Sequence, residues 1–242
     1  MKPSLSIIIP ALNEEANIAE AVTEVIKVLG VEYEDYELLL FNDGSTDRTG
    51  EIMNGLAEKN SRIRVTHNKI SQNLGGVYKQ GIAIAKYEYT FMVPGDNENP
   101  GTALAPVLAA LGKADIIIPY TTNSHVRPLS RRIASRCYTI LINRLFGHKL
   151  KYYNGTAVSR TSDLRSITIN TNSFAYQSEV LLKLLKKGKT FIEVGIAIKP
   201  PAVSTSKALH LGNLISVGKA VIQLVLEIHI KRQIKTEVPP SI

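Results

Sequence analysis

The sequence holds a single cysteine, Cys137. One thiol excludes an internal disulfide framework and any zinc site built from cysteines, and it suits a reducing compartment. The start, Met1-Lys2-Pro3-Ser4, leads into a strand of only a few apolar residues. Neither the h-region nor the small-residue cleavage site of a secretory signal is there, so a cytoplasmic protein is expected. Internal repeats and low-complexity segments are absent. Acidic residues disappear from one long stretch: none lies between Asp115 and Asp163, where eight basic residues stand.

That gap reflects a division of charge. Residues 1–115 hold 10 Lys/Arg against 16 Asp/Glu, and residues 116–242 hold 19 against 5. The basic half suits nucleic acid, anionic lipid or a phosphorylated ligand. An array of aromatic rings for stacking bases is missing from it, although Tyr120, Tyr138, Tyr152 and Tyr153 are nearby, so no nucleic acid is expected.

With 242 residues the chain can bury a core as one large domain or two small ones. Apolar runs and helical periods alternate through the first half. Strands are expected at 4–9, 37–41, 62–66, 89–93 and 115–119, and helices at 14–29, 47–60, 75–85 and 102–111. This rhythm predicts an α/β fold with a mainly parallel sheet and helices on both faces. The second half is less regular, with helices expected at 131–146 and 174–187, a strand at 191–198, a loop at 199–207 and a frayed tail from 231. A helix over 211–232 carries one narrow polar stripe, Asn213, Ser216, Lys219, Gln223, Glu227 and Lys231, among apolar residues. It suits a membrane interface, or packing on the core or a second subunit.

Three apolar runs end in polar turns. Ser6-Ile7-Ile8-Ile9 meets Pro10-Ala11-Leu12-Asn13-Glu14-Glu15. Leu38-Leu39-Leu40-Phe41 meets Asn42-Asp43-Gly44-Ser45-Thr46-Asp47. Tyr89-Thr90-Phe91-Met92-Val93 meets Pro94-Gly95-Asp96-Asn97-Glu98-Asn99-Pro100. The carboxyl ends of strands are where open α/β sheets bind ligands. The Asp43 turn suits hydrogen bonds to a ribose or base, and equally a plain helix N-cap. Paired glycines in Asn73-Leu74-Gly75-Gly76 allow close backbone approach at a helix start. Asp96 and Glu98 offer hard oxygen ligands on one turn. His125, Arg127, Arg131, Arg132, Arg136 and Arg144 gather guanidinium groups on a loop and the helix after it.

The order and wording of these segments resemble a family-2 glycosyltransferase of GT-A fold, in particular the dolichol-phosphate mannose synthase-like branch that glycosylates polyprenyl phosphates. The resemblance covers residues 4–210 and implies a glycosyltransferase domain over 1–210. Its nucleotide-sugar half would be 1–119 and its acceptor half 120–210, with an interface helix at 211–232 and a tail at 233–242 beyond. It implies nucleoside binding by Pro10, Ala11, Asn13, Glu14, Asp43, Asn73 and Gly75, and a Mg²⁺ or Mn²⁺ ion on Asp96 and Glu98. Arg127, Arg131, Arg132 and Ser135 would meet the acceptor phosphate. Asp96, Arg131, Arg132, Glu179 and Lys207 would carry the chemistry, Lys207 from a loop closing over the diphosphate. Asn154-Gly155 and Glu193-Val194-Gly195-Ile196 match further family segments.

Departures from the family pattern are Asn42 for an Asp, Pro94 for the first metal-ligating Asp, Glu98 for a Gln, Pro119-Tyr120-Thr121 for Gly-Ser-Arg, and Pro201 for an Arg. The expected activity is inverting transfer from a UDP- or GDP-sugar to a polyprenyl or dolichyl phosphate at the cytoplasmic face of a membrane. Transfer to a glycan hydroxyl, with Glu179 as base, and a non-catalytic donor-binding protein are the alternatives. The expected location is peripheral on a membrane surface, with a homo-oligomer or a membrane-anchored partner chain left open.

Overall fold

A computed structural model describes residues 2–30, 32–200 and 211–230. Seven strands form one sheet in the order β3-β2-β1-β4-β6-β5-β7. They are β1 (Leu5–Ala11), β2 (Tyr36–Asn42), β3 (Ile63–His67), β4 (Tyr89–Met92), β5 (Ile116–Thr121), β6 (Val158–Arg160) and β7 (Phe191–Ile196). The helices are α1 (Ile18–Leu29), α2 (Thr49–Lys59), α3 (Asn73–Ile84), α4 (Gly101–Leu108), α5 (Leu129–Phe146), α6 (Thr161–Arg165), α7 (Tyr176–Lys186) and α8 (Leu211–Val225). A π-helical turn, Leu226–Ile230, continues α8.

The central strand β1 is buried along its whole length, as a parallel strand covered on both faces must be. Its alternate residues divide the core in two. Leu5, Ile7 and Ile9 face α1, α2 and α4, where they meet Val22, Val25, Met53 and Leu104. Ile8 faces the other way with Leu39, Phe41 and Met92, and there α3, α5, α7 and α8 supply Val77, Ile142, Val180, Leu181, Val221 and Leu224. Each such aliphatic side chain contributes about 1.5–3 kcal/mol when fully buried. Gly81 lets α3 lie close on β1, because a Cβ there would stand 2.3 Å from Cδ1 of Ile8.

The parallel α/β architecture matches expectation, with corrections at particular points. β1 runs on to Ala11, and α1 starts at Ile18 rather than Glu14. The reason is that backbone N–H groups of Glu14 and Glu15 donate to Thr49 and Asp47 across the next loop. β6 and α6 were not expected. β6 is antiparallel to both β4 and β5, pairing Thr90 with Ser159 and Ile117 with Val158. The chain therefore leaves the end of β5, builds α5 outside the sheet, and returns to the sheet's middle. The expected boundary at 119/120 falls inside β5, so the two halves share one sheet. No helix among the described residues is long and apolar enough to cross a membrane. The expected loop beyond Pro200, including Lys207, and the tail from 231 lie outside the described residues.

Candidate active site

The carboxyl ends of β1, β2 and β4 form one ledge through their backbones. Asp43 N–H donates to the carbonyl of Ala11 at 2.9 Å, and Gly95 N–H to the carbonyl of Pro10 at 3.0 Å. Side chains stitch the first two loops: Asn13 Oδ1 accepts from Thr46 N–H at 2.8 Å, and Ser45 Oγ accepts from Asn13 N–H at 3.0 Å. Among the described residues the non-glycine positions with left-handed backbone are Asn13, Asn73 and Asn97, with φ of 57°, 59° and 58°. Asn13 follows β1, Asn97 follows β4, and Asn73 opens α3 next to the β2 loop. Asparagine adopts this conformation more readily than other residues with a Cβ, and such backbone collects at ligand sites.

Asp43 is buried and its carboxylate accepts four hydrogen bonds from within the chain. Asn68 Nδ2 and Gln72 N–H donate to Oδ1, each at 2.8 Å. Ser71 Oγ and Asn73 N–H donate to Oδ2 at 2.6 and 3.1 Å. Its acceptor positions are thus filled by the protein, and what it does in this structure is hold the 68–73 loop in place. Gly75 completes that corner. Its N–H donates to Asn172 O at 3.1 Å, and a Cβ would lie 2.7 Å from the Thr171 carbonyl oxygen.

The third loop concentrates charge. Glu98 N–H donates to Asp96 Oδ1 at 3.0 Å, which folds the two carboxylates onto one turn. Burial, reinforced by the charge of Glu98, pushes the Asp96 carboxyl up to about 6. Glu98 in turn lies 3.2 Å from both Arg127 Nη2 and Arg131 Nη1, and Arg127 Nη1 donates to Tyr152 OH at 2.9 Å. Arg127 Nε is buried without a partner. Arg131 and Arg132 stand in the first turn of α5, which has no acidic residue. Cations are disfavoured at this positive end of a helix, and Glu98 supplies the anion that offsets Arg131. Arg132 is exposed and Ser135 partly buried beside it.

Hard, mutually repelling oxygens on one turn are a donor set that fits Mg²⁺ or Mn²⁺. A cation would offset both the burial and the Glu98 charge that raise Asp96. No cluster of three or more His, Cys, Asp or Glu that could hold a metal stands among the described residues, so further ligands would have to come from phosphate and water. Pro94, where the family pattern has an Asp, accounts for the missing carboxylate.

Glu179 requires a correction. Its two oxygens accept the N–H groups of Asn170 and Thr171 at 2.9 and 3.0 Å, and Lys183 Nζ lies 2.7 Å away. Buried and fully engaged, it ties α7 to the 170–173 loop and does not present a free base. Three further side chains, outside the expected site residues, support this end of the sheet. Tyr152 steadies Arg127. Lys199 reaches Asn97 Oδ1 at 3.3 Å and Glu20 at 3.1 Å, and its N–H donates to the Glu98 carbonyl at 2.9 Å. Asn123 exchanges two bonds with Ile198, at 2.9 and 3.0 Å. The only available signal was composition: asparagine favours left-handed and turn backbone, and Asn97 sits between two carboxylates.

The mixed seven-stranded sheet with its ligand ledge defines the GT-A fold. Glucosyl-3-phosphoglycerate synthase of Mycobacterium tuberculosis, solved with Mg²⁺ and UDP, superimposes with a TM-score of 0.67 at 19% identity, over 93% of this chain and 79% of that one. The glycosyl transferase family 2 model matches residues 6–167, and the chain belongs to that family. A dolichyl-phosphate β-glucosyltransferase of Dictyostelium discoideum is 24% identical over 91% of this chain and 73% of its own length. Glycosyltransferase GlyG of Streptococcus pneumoniae is 31% identical over 40% of this chain, which spans 31% of that protein.

Proposed function

We propose that the chain transfers a sugar from a UDP- or GDP-sugar, with inversion, to a polyprenyl or dolichyl phosphate at a membrane surface. The observation that carries this reading is the convergence of Arg127 and Arg131 on the Asp96–Glu98 turn. Guanidinium groups there can hold an acceptor phosphate in bidentate fashion. A donor diphosphate lies naturally beside carboxylates that take a divalent cation. The similarity to the dolichyl-phosphate glucosyltransferase along most of the chain supports the acceptor class. The Mg²⁺ and UDP of the GT-A neighbour support the donor and the cation.

In this reading the nucleoside rests on the ledge of Pro10, Ala11, Asn13 and Glu14, against the 68–73 loop that Asp43 anchors and the start of α3 at Asn73 and Gly75. A divalent cation held by Asp96 and Glu98 would supply Lewis-acid charge to the leaving diphosphate. Arg127, Arg131, Arg132 and Ser135 hold the acceptor phosphate, whose oxygen attacks the anomeric carbon as the bond from that carbon to the diphosphate breaks. A phosphate is already an anion, so no general base is needed, in keeping with the engaged state of Glu179. Positioning and charge stabilisation then carry the rate, with Lys207 as a further phosphate partner. α8 suits peripheral attachment. Val221 and Leu224 are buried in the core, while Leu214, Ile215, Ile222 and Leu226 remain exposed.

The test is transfer of radiolabel from a panel of UDP- and GDP-sugars, with Mn²⁺, into polyprenyl phosphate. Label entering the organic phase with one donor, and lost in Asp96→Ala and Arg131→Ala, is the expected result. A donor that is bound or hydrolysed while no lipid is labelled overturns the acceptor assignment.

A further inference from the structure

Helix α5 has two sides of different character. Its inner side meets the protein: Thr139 and Ile142 are buried, Tyr138 OH donates to Ser178 of α7 at 2.8 Å, and Asn143 Nδ2 donates to the Leu150 carbonyl at 2.8 Å. Its outer side is exposed over the whole length. Leu129, Ile133, Ile140 and Leu141 are 63%, 54%, 43% and 48% exposed, and Arg132, Arg136 and Arg144 are exposed among them. Positions 129, 133, 136, 140 and 144 recur at helical spacing, so they form one stripe. No acidic residue exists anywhere between Asp115 and Asp163, and among the described residues no carboxylate pairs with Arg132, Arg136 or Arg144.

We propose that this outer face of α5 docks on an anionic lipid bilayer. Aliphatic side chains alternating with arginines suit the boundary between headgroups and acyl chains. The apolar groups enter, and the guanidinium groups extend to lipid phosphates along their apolar stems. A second copy of the chain is a poorer fit, because a two-fold contact through this face would set arginine against arginine. The position of α5 gives the docking a purpose. Its first turn holds Arg131 against Glu98, so a bilayer lying along α5 brings headgroup phosphates to the edge of the site. The inference deepens the lipid-phosphate reading and rests on it for the acceptor's location, while the face itself is defined by its side chains.

The experiment uses vesicles of phosphatidylcholine alone or mixed with phosphatidylglycerol, with binding read by flotation. Cys137 is the sole cysteine and is exposed, so an environment-sensitive fluorophore attached there reports insertion. The wild-type protein should bind mixed vesicles about tenfold or more tighter than neutral ones, with a blue shift of the label. R136E/R144E should lose that preference, and I140S/L141S should lose the blue shift, both with unchanged circular dichroism. Transfer to a short, water-soluble prenyl phosphate should stay within about twofold of wild type in Arg144→Glu, whose altered residue lies more than two turns along α5 from Ser135. Equal vesicle binding by wild type and R136E/R144E overturns the proposal, as does a label that stays water-like on bound vesicles. A wild-type dimer in sedimentation that the variants dissolve also overturns it, assigning the face to self-association. Vesicle binding as expected without any transfer to the soluble prenyl phosphate leaves the docking face standing and removes the lipid-phosphate reading.

Discussion

Glu98 stands 3.2 Å from Arg131, carboxylate to guanidinium, across 33 residues of sequence. Sequence reading gave one to a cation and the other to a phosphate. The structure sets them against each other, so each holds the place of the other's proposed ligand. A cation on Glu98 and a phosphate on Arg131 would arrive as a matched exchange of charge.

Glu98→Gln tests that exchange. The variant keeps the shape of the turn but cannot neutralise Arg127 and Arg131. Mn²⁺ binding, followed by electron paramagnetic resonance, should weaken about tenfold or more, since an amide is a poorer ligand than a carboxylate. Affinity for a prenyl phosphate measured without metal should rise, because the arginines no longer have an internal anion to leave. Unchanged affinities for both ligands would separate Glu98 from either subsite.

Asp96 makes a prediction in pH. Its carboxyl titrates near 6 in the folded protein, with burial the main cause, against an ordinary value of 3.8. Between those values the folded chain keeps a proton that the unfolded chain has lost, so the contribution to stability falls as pH rises and is flat above the upper value. Asp96→Asn carries no such charge and keeps an oxygen for the N–H of Glu98. Denaturant melts of the metal-free protein should show the variant gaining on the wild type from pH 4 to 6. The gain should reach up to about 3 kcal/mol and then stay constant. A difference independent of pH would refute the raised value.

The ledge was legible in the sequence because each of its strands is an apolar run that stops abruptly at a polar turn. β1, β2 and β4 ended within two residues of expectation, since burial on both faces leaves little choice of residue. β6 was not legible. Val158-Ser159-Arg160 is three residues long with no period of its own, and only pairing with β4 and β5 makes it a strand. The partners of functional side chains were equally hidden. Nothing local in Asp43-Gly44-Ser45 says that Asn68, Ser71, Gln72 and Asn73 will occupy its carboxylate. The pairing of Glu179 with Lys183 is the exception, being one helical turn apart.

Glu179→Gln distinguishes a structural carboxylate from a catalytic one. Both Glu179 and Lys183 are buried, and removing one charge of a buried pair costs about 3–5 kcal/mol. The salt bridge of Lys183 to Glu227, at 3.0 Å, offsets part of that. The variant should melt earlier, yet at a temperature where it is folded its kcat should stay near wild type with an unaltered pH profile. Loss of the acid-side limb of that profile, where a general base becomes protonated, would return Glu179 to the reaction.

Asp43→Asn probes the corner that the proposal gives to the nucleoside. Four donors converge on its two oxygens, and an amide would turn an NH₂ group toward one pair of them. Each buried donor left without an acceptor costs about 1–3 kcal/mol, so the variant should be less stable and its 68–73 loop should exchange amide hydrogens faster. If that loop carries the nucleoside, KM for the nucleotide-sugar should rise much more than kcat falls, because the proposal puts the reacting atoms at the Asp96 turn, on the far side of β1. A fall in kcat with KM unchanged would place Asp43 in the chemistry instead. Rapid amide exchange with normal donor affinity would move the nucleoside away from this corner altogether.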